Sequence, residues 1–173
     1  RLKEGCRWHN GEEITANDIK ASFDLMMNEK VDAARLRPYY ELVDEVIVED
    51  DYAITFKFKE KYYFAQYSLP DIPLVPESVI EELDDPSDWN KIDQVVGSGP
   101  YKLEDWNKGN EIVLLRNDDF WGDKPQIKRI RFKIIKEDTA AIASLRRGEI
   151  DLMAIPPSNW EREIKDDEEI MSQ

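Results

Sequence analysis

The sequence predicts a mixed α/β fold of the α+β kind, on three observations. A helix near the start has a complete capping signature, two pairs of strand-like runs are each joined by a polar turn, and a strand, a helix and a second strand succeed one another in the last third. The helix opens at Thr15-Ala16-Asn17-Asp18, where Thr15 can cap and Asp18 stands at the N3 position. Ile19, Phe23, Met26 and Met27 then recur at i, i+4, i+7 and i+8, an apolar stripe that belongs in a core. The methionine pair on that stripe reads as packing. Val43 to Glu49 and Tyr52 to Phe58 form the first strand pair, with Glu49-Asp50-Asp51 as the turn. The second run sets Tyr52, Ile54, Phe56 and Phe58 against Ala53, Thr55 and Lys57.

Tyr62-Tyr63-Phe64 begins a short aromatic helix or turn that stops at Pro70. Ile72-Pro73-Leu74-Val75-Pro76 is too rich in proline for a central strand, and Pro76 suits the first turn of a helix through Val79, Ile80 and Leu83. Asp84-Asp85-Pro86-Ser87-Asp88 reads as a surface loop, with a subdomain boundary after it, near Asp93. Gly97-Ser98-Gly99 has two of the glycines of a phosphate cradle, but no helix, third glycine or Gly-Lys-Ser/Thr ending comes after them. The residues beyond Pro100 are strand-like instead: Tyr101 to Trp106, the turn Asn107-Lys108-Gly109-Asn110, and Ile112-Val113-Leu114-Leu115. The glycines therefore feed a β-hairpin.

Lys128 to Ile135 alternates basic residues with Ile130, Phe132 and Ile134, the pattern of a half-buried strand. A helix from Asp138 through Leu145 stops at Gly148, and Ile150 to Ile155 is a second strand, so a right-handed βαβ unit is expected. Pro156-Pro157 ends it. Ser158-Asn159-Trp160-Glu161 then has the form of a capping box for a last, charged helix.

The chain has 173 residues, with 38 acidic against 24 basic side chains and a formal charge of −14. That charge opposes binding to nucleic acid or to an anionic membrane surface. No run approaches the ~18 apolar residues of a membrane span. Cys6 alone excludes an intrachain disulfide and reads as a buried thiol. His9, in the turn Trp8-His9-Asn10-Gly11, has no nucleophile motif or zinc spacing beside it and reads as a turn or packing histidine. Glu49-Asp50-Asp51, Asp118-Asp119 and Asp166-Asp167-Glu168-Glu169 lack the register of a calcium loop and read as solvated faces. Neither a metal site nor a cofactor is expected. Composition and periodicity leave three classes open: a binding module, a small hydrolase working through acidic residues, and an intracellular protein-interaction domain.

Four segments narrow these. Leu2 to Ile19, Gly97-Ser98-Gly99-Pro100-Tyr101-Lys102-Leu103 with Trp106, Arg116-Asn117-Asp118-Asp119-Phe120-Trp121-Gly122 with Pro125, and Leu145-Arg146-Arg147-Gly148-Glu149-Ile150-Asp151 occur in the order found in one family. They resemble the family 5 extracellular solute-binding proteins, the dipeptide- and oligopeptide-binding components of ABC importers. Asn10 replaces a common Asp, Glu13 a common Pro, and Cys6 a small apolar residue. The resemblance implies a fragment of a periplasmic-binding-protein-like lobe: 1–93 as the smaller subdomain of the first lobe, 94–173 as part of its main subdomain, and the second lobe outside this chain. It implies a receptor rather than an enzyme, and a glycine loop that crosses into the main subdomain without holding phosphate. The partners implied are a peptide or another small solute and the permease subunits of an importer. Membrane contact is implied only through an N-terminal anchor outside this chain, at a periplasmic or extracellular, envelope-attached location. Relatives also carry oligosaccharides, nickel complexes or haem.

The resemblance further implies ligand contacts. Tyr39 and Tyr40 come after Pro38 where peptide-binding relatives carry a Pro-Tyr that reaches the cleft. Met153, Ala154, Ile155 and Pro156 come after the strand whose successors in those relatives bond an extended peptide through their backbone, and strand ends in open α/β sheets are where ligands gather. Pro156-Pro157 removes two donors, which leaves Ala154 and Ile155 to supply backbone contacts. Asp71, after the Leu69-Pro70 corner, is expected on the facing edge.

Overall fold

A computed structural model describes residues 1–91 and 95–167. The chain divides into two compact units, one of residues 1–104 and 114–130, the other of residues 105–113 and 131–173. The expected boundary near Asp93 lies outside the described residues.

In the first unit, helix α1 (Ala16–Met27) starts where the capping signature puts it. Its Asp18 accepts the Thr15 amide at 2.7 Å through Oδ2. The hairpin of β1 (Val43–Asp50) and β2 (Ala53–Phe58) is antiparallel, with Val46 opposite Phe56 and Asp50 opposite Ala53. Asp51 and Tyr52 make the turn, and Asp50 Oδ1 accepts the Tyr52 amide at 2.8 Å. Phe23 and Met26 of α1 bury themselves with Tyr40 and Ile72, and Val43, Val46 and Phe56 of the hairpin cover them. This is the core of the unit.

Next along the chain are two short helices, α2 (Ala65–Ser68) and α3 (Glu77–Glu81). Pro70 does not end the first of them. The chain continues as a 3₁₀ turn over Leu69–Asp71, a tighter winding whose first positions accept proline. Pro76 caps α3, and Ser22 of α1 exchanges two 2.9 Å hydrogen bonds with the Val75 backbone just before it. The acidic loop is likewise more ordered than its composition suggests, since Pro86–Lys91 is 3₁₀ helix. Lys30 Nζ at 2.7 Å and the Ser87 amide at 2.9 Å hold the Asp85 carboxyl down to about 2.

Strands β3 (Tyr101–Asn107), β4 (Glu111–Arg116) and β5 (Arg129–Lys133) lie side by side in that order, and each contributes residues to both units. Gly109, at φ +85°, supplies the left-handed residue of the β3–β4 turn. In the second unit helix α4 (Asp138–Arg146) buries Ile142 and Leu145. It ends at Gly148, φ +66°, whose amide reaches the Leu145 carbonyl at 2.9 Å.

Three expectations for this second unit are corrected. Ile150 to Ile155 forms no ladder, so the βαβ unit lacks its closing strand among the described residues. A strand-competent run needs a partner edge roughly 4.8 Å away. Here Lys133 Nζ of β5 donates to the Glu149 carbonyl, just before the run, at 2.9 Å, no ladder forms among the described residues, and Leu152 stands 87% exposed. β5 itself is less buried than its alternation suggests, with Phe132 exposed, as is Ile134 just beyond its end. Finally, Ser158 does not cap a helix. The short helix α5 (Pro157–Asn159) begins one residue earlier, with proline at its first position, and Trp160–Ile164 continue as a wider π turn.

Candidate functional site

The glycine loop is explained by a side chain that sequence reading assigned to a turn. The Trp8–Gly11 turn closes with the Gly11 amide on the Trp8 carbonyl at 2.9 Å, which aims His9 at the loop. The Gly97 amide donates to His9 Nδ1 at 3.2 Å, His9 Nε2 lies 3.0 Å from the Gly99 carbonyl, and the His9 amide donates to the Gly97 carbonyl at 2.7 Å. A donor N–H facing Nδ1 and an acceptor carbonyl facing Nε2 select the neutral tautomer with hydrogen on Nε2. Both ring nitrogens are thus occupied by backbone groups, and the ring acts as a clasp. A Cβ on Gly97 would stand 3.2 Å from His9 Cε1, whereas one on Gly99 would meet nothing within 4 Å. Gly97→Ala is therefore expected to cost about 1–2 kcal/mol by crowding the clasp, and Gly99→Ala less. Urea denaturation of the two variants measures the difference.

Nearby, the Glu13 carboxylate accepts the Tyr52 hydroxyl at 2.7 Å and the Gly5 amide at 3.2 Å. These bonds lower the Glu13 carboxyl below its ordinary range, and the same carboxylate pushes the Tyr52 phenol up to about 12. The consequence is structural, because the pair ties the turn before α1 to the tip of the β1–β2 hairpin.

The residues expected to touch ligand fall into two groups, one in each unit. In the first, the 3₁₀ turn Arg37–Tyr39 carries Tyr39 outward, 58% exposed, while Tyr40 turns inward, 3% exposed. The Tyr40 ring packs on Phe23, its hydroxyl donates to the Ser68 carbonyl at 2.8 Å, and burial together with the nearby Asp71 carboxylate raises its phenol above the usual range. Asp71 lies exposed at the end of the Leu69–Asp71 turn. Tyr40 and Asp71 are therefore brought together, with Tyr40 held as part of the core and Asp71 facing solvent.

In the second group Ala154 is exposed, and Met153, Ile155 and Pro156 are half-buried. Because Ile150 to Ile155 joins no ladder among the described residues, the strand-end argument for this group gives way to a simpler one. It is chain without sheet pairing that leads into α5, where the Pro156 carbonyl accepts the Asn159 and Trp160 amides.

Sequence reading missed Arg37. Its guanidinium donates to the carbonyls of Met26 at 3.1 Å, Asn28 at 2.7 Å and Val31. The only signal in the sequence was a basic residue some way past a helix end that has none in its last turn. The loop must be folded before that distance closes.

The profile of the bacterial extracellular solute-binding proteins, family 5 middle, matches residues 1–172. The oligopeptide-binding protein AppA of Bacillus subtilis is 28% identical over 166 residues, covering 92% of this chain and 30% of AppA. Its solved structure in complex with a nonapeptide superposes with a TM-score of 0.84 at 26% identity, over 93% of this chain and 32% of that one. A putative peptide-binding protein AppA from Clostridium difficile reaches 0.86 at 30% identity, over 97% and 35%. NikZ from Campylobacter jejuni, solved in complex with Ni(L-His), reaches 0.84 at 27% identity, over 96% and 33%. The chain spans about a third of the length of the relatives it matches.

Proposed function

The chain belongs to the bacterial extracellular solute-binding proteins of family 5, and we propose that it is part of the receptor component of an ABC-type importer that takes up peptides. The observation that carries this is the match along nearly the whole chain, joined to the superposition on a receptor solved with a nonapeptide. In this reading 1–93 is the smaller subdomain of the first lobe and 94–173 part of its main subdomain. The protein works outside the cytoplasm, held to the envelope by an N-terminal anchor, and hands its solute to permease subunits without a reaction of its own. Tyr39 and Asp71 meet the solute from the first unit. Met153, Ala154, Ile155 and Pro156 offer it an apolar wall with backbone groups at Ala154 and Ile155. Tyr40 supports Tyr39 from the core.

Receptors of this kind enclose solute between two lobes, so one lobe's fragment loses burial and about half of the polar partners. The test is calorimetric titration of the full-length receptor and of residues 1–173 with a pool of random-sequence pentapeptides. Saturable binding by the receptor and much weaker binding by the fragment are expected. Equal affinities would overturn the two-lobe reading. Saturation by a nickel–histidine complex, with no heat from peptides, would move the solute to the class bound by NikZ.

A further inference from the structure

We propose that Arg37 is the positioning residue for the ligand-binding tyrosine, acting through Tyr39; this rests on Tyr39 contacting the solute. The last carbonyls of any helix lack partners within it and carry the negative end of its dipole. In α1 no basic residue stands in the last turn to meet them. Arg37 supplies a donor from outside to one of them, Nε to Met26, and its Nη2 reaches the Asn28 and Val31 carbonyls just beyond the helix. One planar fork thus gathers the end of α1 and the turn beyond it.

The backbone of the same residue holds the other side. The Arg37 amide donates to the Ala33 carbonyl at 3.2 Å, and its carbonyl accepts the Tyr40 amide at 2.9 Å, while the Tyr39 amide reaches the Leu36 carbonyl at 3.1 Å. Pro38 fixes its own φ between them. Tyr39 therefore stands exposed on a turn that is pinned through Arg37 to α1, whose Phe23 and Met26 are in the core. A side chain presented in this way gives up less freedom on binding than one on a loose loop, and that saving appears as affinity. Lysine cannot substitute, because an ammonium is a point charge without the planar fork that reaches separate carbonyls.

The test is a double-mutant cycle in the full-length receptor, with Arg37→Met, Tyr39→Ala and the double variant titrated with the random pentapeptide pool. Arg37→Met is expected to weaken binding about tenfold. In the Tyr39→Ala background the same change should have no further effect, and Arg37→Lys should not restore affinity. Additive losses in the cycle would overturn the inference and leave the receptor reading standing. Wild-type affinity in Tyr39→Ala would remove Tyr39 from the site and the inference with it, and absence of peptide binding by the wild type would overturn the peptide reading on which the inference rests. If Arg37→Met does not fold, Arg37→Lys takes its place in the cycle under the same criteria.

Discussion

Replacing Phe23 with alanine is expected to destabilise the first unit by about 3–5 kcal/mol, the range for emptying a buried aromatic site. Phe23 is central to the core. Its ring meets the Tyr40 ring at 6.2 Å and 86° and the Phe56 ring at 5.8 Å and 76°, both edge-to-face, so one side chain joins α1 to the hairpin and to the turn that carries Tyr39. Deleting it removes transfer free energy and two aromatic contacts, and leaves a cavity among neighbours tied down by their own elements. Since domains of ordinary stability hold only about 5–15 kcal/mol, the variant should unfold at far lower urea concentrations. Phe23→Leu, which keeps most of the volume, should lose under about 1.5 kcal/mol. A loss below about 1 kcal/mol for the alanine variant would contradict the central place given to this ring.

Asp18→Ala is expected to cost about 2–4 kcal/mol, more than a helix cap alone provides. The reason is that one carboxylate serves two helices. Oδ2 accepts the Thr15 amide at 2.7 Å at the start of α1, and Oδ1 accepts the Glu77 amide at 2.8 Å at the start of α3. Asp18 is only 6% exposed, so water does not readily replace it, and both donors would be stranded beside helix ends that favour negative charge. Asp18→Asn keeps one acceptor oxygen and should lose about half as much. Hydrogen exchange gives a separate check: in Asp18→Ala the Thr15 and Glu77 amides should both exchange faster. Faster exchange at Thr15 alone would reduce Asp18 to an ordinary cap.

This double role marks a limit of reading from sequence. The spacing of Thr15 and Asp18 shows the capping box, because both partners lie within one turn, whereas the bond to Glu77 joins residues 59 positions apart. Similarly, the histidine of Trp8-His9-Asn10-Gly11 and the glycines at 97 and 99 were visible as two separate turn signals, and only the fold showed that one exists to receive the other. Of the adjacent tyrosines that the family resemblance implies as ligand contacts, sequence could not say which faces out. The 3₁₀ turn decided it, sending Tyr39 to solvent and Tyr40 into contact with Phe23.

By itself the sequence determined the elements whose stabilising groups are neighbours along the chain. These are the capped α1 with its apolar stripe, the β1–β2 hairpin with its polar turn, the Gly109 turn between β3 and β4, and the stop of α4 at Gly148. The ordered family motifs belong with them, since each is short. Tertiary structure alone decided whatever depends on a distant partner: the clasp of His9 on the glycine loop, the reach of Arg37 back to the end of α1, and the failure of Ile150 to Ile155 to become a strand. A helix closes its own hydrogen bonds within four residues, so its pattern suffices. A strand, a clasp or a clamp must find its partner groups elsewhere in the chain, and a linear pattern can show competence for such pairing without supplying the partner.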